Sequence, residues 1–131
     1  MNRDAMRILI VDDHEAVRRG IRSLLSITAH DLCGEAADGE IAVELAEKLK
    51  PDLILMDVSM PKLSGLEAAR RIRELVPQSS LIIVSQHESA ELIRQALSVG
   101  AKGYVTKSSL GKDLFGALRV VEQGGTYFPP I

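Results

Sequence analysis

Ile8-Leu9-Ile10-Val11-Asp12-Asp13, residues 8–13, gives the strongest indication of the fold, because four consecutive apolar residues end in two carboxylates. An apolar run of this length is typical of a strand buried on both faces of a parallel sheet. Two similar runs follow: residues 53–56 end at Asp57, and residues 104–106 end at Lys107. The carboxyl ends of parallel strands form the edge where open α/β sheets bind ligands. The sequence therefore predicts that these charged residues meet at one functional edge.

Apolar spacing alternates between strand and helix periods along the whole chain. The predicted strands are residues 7–11, 31–37, 52–56, 81–84 and 102–106, and amphipathic helical spacing follows each of them. Right-handed crossovers then place helices on both faces of a parallel sheet. The predicted fold is α/β, a doubly wound (βα)5 flavodoxin-like sandwich with a five-stranded parallel sheet of order 2-1-3-4-5. Its topological switch point lies between strands 1 and 3, the strands that carry the aspartates.

Capping residues support these helix positions. Asp38 precedes the second helix, and Ser64 with Glu67 matches a capping box for the third. The fourth helix is predicted from about Ser89 to Val99, with Gly100 as its C-cap. The fifth helix closes at Gly124-Gly125.

Composition limits the class of protein. The chain has 131 residues, 46% of them hydrophobic, which is typical of a single domain. Its formal net charge is −2 and its basic residues are scattered, so we expect no nucleic-acid-binding patch. Cys33, the single cysteine, excludes an internal disulfide and predicts a small buried strand residue. Residues 1–7 lack the apolar core of a signal peptide, and no apolar run is long enough for a membrane span. We expect a soluble, cytoplasmic protein without membrane contact.

Asp12, Asp13 and Asp57 would repel one another unless cations compensate their charge. Lys107 supplies one positive charge, and a hard divalent ion such as Mg²⁺ would supply two. The simplest alternative for Asp13 is a cap of the first helix, and the alternative for Lys107 is a solvated surface charge. Neither alternative explains why four charged residues follow neighbouring strands.

Four motifs in order resemble the receiver domain of bacterial two-component response regulators over essentially the whole chain. The motifs are Val11-Asp12-Asp13-His14, Asp57-Val58-Ser59-Met60-Pro61-Lys62-Leu63-Ser64-Gly65, Val84-Ser85, and Gly103-Tyr104-Val105-Thr106-Lys107. The closing residues 122–128 resemble the end of receivers in the NarL/FixJ subfamily, which has LuxR-type output domains. The resemblance implies that residues 1–124 are a receiver and that residues 125–131 begin a linker to a helix-turn-helix DNA-binding domain absent from this chain.

The resemblance implies a chemistry for the predicted edge. Asp57 would accept a phosphoryl group from a sensor histidine kinase, with Mg²⁺ held by Asp12, Asp13, Asp57 and the main-chain carbonyl of Ser59. Lys107 would bind a phosphoryl oxygen. Such a protein is not an enzyme acting on other molecules, since it catalyses only its own phosphotransfer and autodephosphorylation. It would control transcription, form a homodimer on phosphorylation, and reach DNA only through the absent domain.

The resemblance also implies a switch. Ser85 would bind the phosphoryl group, and Tyr104 would turn from exposed to buried as Ser85 moves. Ser59 and His87 would tune the rate of dephosphorylation. Two alternatives stay open: Ser85 with Glu88 matches a capping box for the fourth helix, and Tyr104 could be a half-buried strand residue with a hydrated hydroxyl. Since Ser108 follows Lys107, the sequence also leaves open whether that peptide is cis.

Other functions fit the residues less well. A phosphatase of the haloacid dehalogenase type needs an acid two residues after its nucleophile, where this chain has Ser59. A flavodoxin-like FMN carrier would place its phosphate where Asp12 and Asp13 repel it. A receiver-like interaction module that signals without phosphorylation remains as the alternative.

Overall fold

Five parallel strands form a sheet with helices on both faces. The computed structural model describes residues 5–60 and 63–130. The strands are β1 (Arg7–Val11), β2 (Asp31–Ala36), β3 (Leu53–Asp57), β4 (Ser80–Ser85) and β5 (Gly103–Thr106). The helices are α1 (Glu15–Leu25), α2 (Gly39–Leu49), α3 (Gly65–Leu75), α4 (Ala90–Ser98) and α5 (Leu110–Glu122), with a 3-10 turn at Lys107–Ser109. The strand order is β2-β1-β3-β4-β5, which confirms the predicted fold.

The predicted strands lie within one residue of the observed ones. The main difference is at β3, which ends at Asp57 itself, so the carboxylate belongs to the last residue of the strand. Cys33 lies in β2 as expected but is half-buried, because β2 is an edge strand with one neighbour. Residues 1–4, Pro61, Lys62 and Ile131, which include parts of the second motif and of the predicted linker, lie outside the described residues.

Side chains of the central strands alternate between two buried layers. In β1, Ile8 and Ile10 pack with the helices α1 and α5, whereas Leu9 and Val11 pack with α2, α3 and α4. Burial on both faces explains why β1, β3 and β4 have continuous apolar sequences. A charged residue can follow such a strand only where the strand leaves the core, at its carboxyl end.

The helices are short and amphipathic. The described helix α5 has 13 residues, and its buried face consists of Leu114, Ala117, Leu118 and Val121. Across residues 5–60 and 63–130, the structure contains no helix with the length and apolar character needed to cross a membrane.

Three helices begin at a capping side chain: the sequence indicates the caps Asp38 and Ser64, whereas it gave Ser89 only as the approximate start of the fourth helix. Side-chain oxygens of Asp38, Ser64 and Ser89 each accept a backbone N–H three residues later, at 2.9, 3.3 and 3.1 Å. Gly100 follows α4 with a positive φ of 82°, as a glycine beyond a helix C-terminus commonly does. These local contacts fix where the helices start and stop.

Helix α3 begins directly against the end of β3. The Gly65 N–H donates to the Val58 carbonyl at 3.1 Å. A Cβ atom at Gly65 would lie 1.8 Å from the Asp57 carbonyl oxygen, so only glycine fits at this position. The start of α3 thus packs directly against the backbone of Asp57 and Val58.

Residues 126–130, here called the terminal segment, return to the sheet after α5. The chain reverses at Gly124, whose φ is +88°. The Tyr127 N–H then donates to the Lys102 carbonyl, and the Tyr104 N–H donates to the Tyr127 carbonyl, both at 2.9 Å. The terminal segment therefore adds a one-residue parallel bridge to the outer edge of β5.

Candidate functional site

Asp12 and Asp13 leave the sheet at the end of β1. Asp12 is 1% exposed, its N–H donates to the Ala36 carbonyl of β2, and its Oδ1 accepts the His14 N–H at 2.9 Å. His14 is the N-cap residue of α1 and makes no side-chain capping bond. The alternative in which Asp13 caps α1 is therefore wrong, because the chain enters the helix one residue later.

Asp57 lies beside this pair, at the end of β3, and is 2% exposed. Its Oδ1 accepts the Ser59 N–H at 3.3 Å. Among residues 5–60 and 63–130, no donor is hydrogen-bonded to Asp57 Oδ2 or to Asp13 Oδ1, although both atoms are buried. Buried carboxylate oxygens without donors indicate a site built for a cation or an incoming group.

Lys107 joins the aspartates from β5. Its Nζ lies 2.9 Å from Asp12 Oδ2 and 3.5 Å from Asp57 Oδ1, and its side chain is only 12% exposed. The interpretation of Lys107 as a solvated surface charge is therefore wrong. The peptide between Lys107 and Ser108 is trans.

The environment changes the pKa of both Asp57 and Lys107. Burial and the neighbouring charge of Asp12 raise the pKa of Asp57 from 3.8 to about 6, and Lys107 opposes this increase. Burial alone would lower the pKa of Lys107, but the contacts with Asp12 and Asp57 outweigh it and raise that pKa. Lys107 thus stays charged at neutral pH, while Asp57 is a stronger base than an ordinary aspartate.

The residues fit a hard divalent cation. Three carboxylates against one ammonium leave a net charge of −2, and the buried Asp57 Oδ2 has neither a hydrogen bond nor an ion pair among the described residues. Oxygen ligands of this kind suit Mg²⁺, which keeps several of its waters. His14, to which the sequence analysis gave no role, also joins the cluster, since its Nδ1 lies 3.2 Å from Asp13 Oδ1 and 3.4 Å from Asp12 Oδ1. The position of His14 directly after Asp13 is the sequence feature that could have placed it in this cluster.

A cavity of about 410 Å³ opens beside Asp57. Its polar lining includes the predicted residues Asp57, Ser59, Ser85, His87 and Lys107, together with His14, Ser64 and Gln86. Apolar residues that the sequence analysis did not single out complete the wall: Val58, Met60, Leu66 and Leu92. The cavity is large enough for a phosphoryl group next to Asp57.

Ser85 ends β4 on the far side of this cavity and is 2% exposed. Its Oγ accepts the His87 N–H at 3.2 Å. Helix α4 begins only at Ala90 and is capped by Ser89, so the alternative in which Ser85 caps the fourth helix is wrong. Ser85 instead shapes the loop that leads to α4.

Tyr104 lies in β5 and is 1% exposed, so the alternative of a half-buried tyrosine with a hydrated hydroxyl is also wrong. The Tyr104 hydroxyl donates to the carbonyl of His87. Both predicted switch residues therefore bind the backbone of His87. Ser85 accepts the His87 N–H, and Tyr104 donates to the His87 carbonyl. Sequence motifs could not reveal this link, because it uses main-chain atoms.

We expect Asp57→Asn to stabilise the domain at neutral pH. Because the pKa of Asp57 is higher in the folded than in the unfolded state, the unfolded state ionises first, and the free energy of unfolding falls as pH rises from about 4 to about 6. A pKa raised from 3.8 to about 6 corresponds to about 3 kcal/mol above pH 6. Water in the cavity screens the charge, so we expect a gain of roughly 2 kcal/mol.

Urea denaturation at pH 4 and pH 7.5, with divalent ions chelated, measures this gain. The exposed Asp31→Asn is the matched control, and we expect it to change stability little at either pH. An equal effect of Asp57→Asn at both pH values would contradict a charge-based origin.

Comparison with known proteins agrees with this geometry. Residues 8–119 match the model of a family described as the response regulator receiver domain. The chain is 37% identical over 131 residues to the transcriptional regulatory protein DegU of Brevibacillus brevis, covering 99% of this chain and 56% of that protein. The chain therefore spans just over half the length of this curated relative.

Solved structures share the fold. A LuxR-family two-component response regulator from an Aurantimonas species superposes with a TM-score of 0.90 at 35% identity, covering 96% of this chain and 91% of that one. The signal receiver domain of the putative response regulator NarL from Mycobacterium tuberculosis gives a TM-score of 0.84 at 32% identity, covering 92% and 98%.

Proposed function

The chain belongs to the response regulator receiver domain family, and we propose that it accepts a phosphoryl group on Asp57. The observation that carries this proposal is the Oδ2 atom of Asp57, a buried carboxylate oxygen without a hydrogen-bond donor among the described residues, beside a cavity of about 410 Å³. Lys107 lines the same cavity, and its ammonium also contacts Asp12, which follows β1.

The proposed reaction is a displacement at phosphorus. Asp57 Oδ2 attacks the phosphorus of a phosphohistidine or of a small phosphodonor, an O–P bond forms, and the bond from phosphorus to the leaving nitrogen or oxygen breaks. The leaving group departs with the electron pair and takes a proton. With a pKa of about 6, Asp57 is mostly ionised at neutral pH and can act as the nucleophile.

Charge neutralisation is the main contribution of the surrounding residues. Asp12, Asp13, Asp57 and the main-chain carbonyl of Ser59 would hold Mg²⁺, which neutralises charge on the transferring group when bound. The Lys107 ammonium would bind a phosphoryl oxygen from the side of β5. Such contacts position the donor in line with the attacking oxygen.

We assign the switch to Ser85 and Tyr104. The Ser85 hydroxyl would bind the phosphoryl group, and Tyr104 would follow it through the backbone of His87, to which both are hydrogen-bonded. Ser59 and His87 line the cavity, where their side chains would set the access of water and so the lifetime of the phosphoaspartate.

The wider role is also a proposal. A sensor histidine kinase would donate the phosphoryl group, and phosphorylation would favour a homodimer. Residues 1–124 would be the receiver, and residues 125–131 would begin the linker to a DNA-binding output domain that controls transcription. The support is that DegU of Brevibacillus brevis, a transcriptional regulatory protein, is longer than this chain.

Intact-mass measurement with acetyl phosphate and phosphoramidate tests the chemistry. We expect an increase by one phosphoryl group that requires Mg²⁺ and disappears in Asp57→Asn. The Asp31→Asn variant controls for the loss of a carboxylate elsewhere. An unchanged mass with both donors, in a folded protein that binds Mg²⁺, would contradict the proposal and favour an interaction module that signals without phosphorylation.

A further inference from the structure

The terminal segment is attached to β5 at the position of Tyr104. Two backbone hydrogen bonds join Tyr127 to Lys102 and Tyr104, both at 2.9 Å. The Tyr127 hydroxyl donates to Asp113 Oδ1 of α5 at 3.1 Å. Phe128, the next residue, packs against the core cluster on the other face of the sheet, which includes Tyr104. The terminal segment thus follows the alternation of a true strand.

Two glycines, Gly103 of β5 and Gly116 of α5, lie beside Tyr127 of the terminal segment. A Cβ atom at Gly103 would lie 3.3 Å from the Tyr127 carbonyl oxygen, closer than ordinary contacts. A Cβ at Gly116 of α5 would touch the Tyr127 ring at 3.7 Å. Tyr127 therefore lies in close contact with the backbone of β5 at Gly103 and in ordinary van der Waals range of α5 at Gly116.

The attachment is limited in extent. Pro129 has no N–H, so the bridge cannot extend along β5 beyond Tyr127. Two backbone hydrogen bonds and two aromatic side chains hold the terminal segment, while the five-stranded sheet keeps its own pairing without it. An attachment of this size can open without unfolding the domain.

Hydrogen bonds connect the attachment to the phosphoacceptor cavity. Ser85 Oγ accepts the N–H of His87, and the His87 carbonyl accepts the hydroxyl of Tyr104. Tyr104 in turn donates its N–H to the Tyr127 carbonyl. Tyr104 is thus bonded to the loop after Ser85 through its side chain and to the terminal segment through its backbone.

We propose that the terminal segment is a docking strand whose attachment to β5 is coupled to occupation of the phosphoacceptor cavity. The coupling rests on the proposed function of that cavity. Tyr104 is the shared element, because the docked strand holds its backbone and the loop after Ser85 holds its buried hydroxyl. A ligand that draws Ser85 inward favours the position of Tyr104 seen here, and the docked strand favours the same position. Linkage then requires each event to strengthen the other.

The two tyrosines of the chain, Tyr104 and Tyr127, provide a direct test. Incorporation of 3-fluorotyrosine gives two ¹⁹F resonances, and the Tyr127→Phe variant assigns them. The ligand is beryllofluoride, a phosphoryl mimic formed from beryllium and fluoride, added with Mg²⁺. We expect both resonances to shift as it binds, together with slower hydrogen exchange of the Tyr104 and Tyr127 amides.

The two phenylalanines, Phe115 and Phe128, provide a matched pair of variants. Both are half-buried, but Phe115 lines a different cavity, between the end of α1 and α5. We expect Phe128→Ala to raise the Kd for beryllofluoride about fivefold, at the lower end of typical couplings, and Phe115→Ala to change it less than twofold. Asp113→Ala, which removes only the acceptor of the Tyr127 hydroxyl, should give a smaller weakening in the same direction and checks against misfolding.

The outcomes separate the two proposals. If Phe128→Ala releases the terminal segment, as shown by the Tyr127 resonance, while the beryllofluoride Kd is unchanged, the coupling is overturned. If the wild-type domain shows a protected Tyr127 amide but binds no beryllofluoride, the phosphoacceptor proposal fails, and the coupling fails with it although the docking stands. An unprotected Tyr127 amide in the liganded wild-type domain overturns the docking strand itself.

Discussion

Replacement of Gly65 by alanine is expected to cost the domain about 3 kcal/mol of its free energy of unfolding, the upper part of the range for overpacked sites. A Cβ atom at this position would lie 1.8 Å from the Asp57 carbonyl oxygen and 2.7 Å from the Val58 Cα. Both obstacles are backbone atoms, which cannot rotate away as a side chain could. The start of α3 and the end of β3 must therefore separate, and the Asp57 carboxylate must move with its backbone.

Urea denaturation measures the loss in the free energy of unfolding. Intact-mass analysis with acetyl phosphate measures whether Asp57 still accepts a phosphoryl group. Gly20→Ala is the matched control, because Gly20 lies in the middle of α1 with no atom within 4 Å of its Cβ position. Alanine there should stabilise the domain by about 0.5–1 kcal/mol through its better helix propensity. If Gly65→Ala proved as stable as the wild type, the close seating of α3 on β3 would be wrong.

Replacement of Lys107 by methionine is expected to cost about 3 kcal/mol at pH 7.5. The ammonium lies 2.9 Å from Asp12 Oδ2 and 3.5 Å from Asp57 Oδ1, and both aspartates are almost fully buried. Removing one partner of a buried ion pair leaves uncompensated charge, which costs about 3–5 kcal/mol in well-studied cases. The lower end is appropriate because the cavity beside Asp57 admits water.

The loss should depend on pH with a definite sign. The pKa of Asp57 is already raised to about 6, and it rises further without Lys107, so at pH 5 the carboxyl is neutral and needs no partner. We expect the cost of Lys107→Met to shrink at pH 5. Adding Asp57→Asn to Lys107→Met should restore part of the stability at pH 7.5, as a double-mutant cycle would measure, because Asp12 still lacks its partner. A cost that is the same at both pH values would show that Lys107 contributes by packing rather than by charge.

These effects trace back to residues that the sequence already marks. The apolar runs before Asp12, Asp57 and Lys107 predicted buried parallel strands, and burial of the central strands on both faces is what the structure shows. The caps at Asp38 and Ser64 were also predictable, since a capping side chain binds a backbone N–H only three residues away. Apolar periodicity and helix capping depend on residues that are close together in sequence, so both can be recognised without knowledge of the fold.

Predictions failed or stayed open where the partner was distant. Ser85 has the sequence of a helix cap, yet the fold carries the chain four residues further before α4 begins at Ala90. In the sequence, Tyr104 and Lys107 have no feature that distinguishes them from other residues in or directly after a strand. Only the fold places β4 and the aspartates beside them. Their burial depends on neighbours far along the chain, which no local pattern specifies.

The parallel α/β fold and the charged residues at one edge of the sheet were predictable from the sequence, because apolar periodicity records which faces are buried, and the strand order followed as the simplest doubly wound arrangement. Only the tertiary structure decided that the Asp57 Oδ2 atom is left without a donor, that Ser85 and Tyr104 share the backbone of His87, and that residues 126–130 dock on β5. Each of these features is a contact of individual atoms, several of them main-chain atoms that every residue type possesses. Such contacts follow from the path of the chain in space, and residue identities therefore do not encode them one by one.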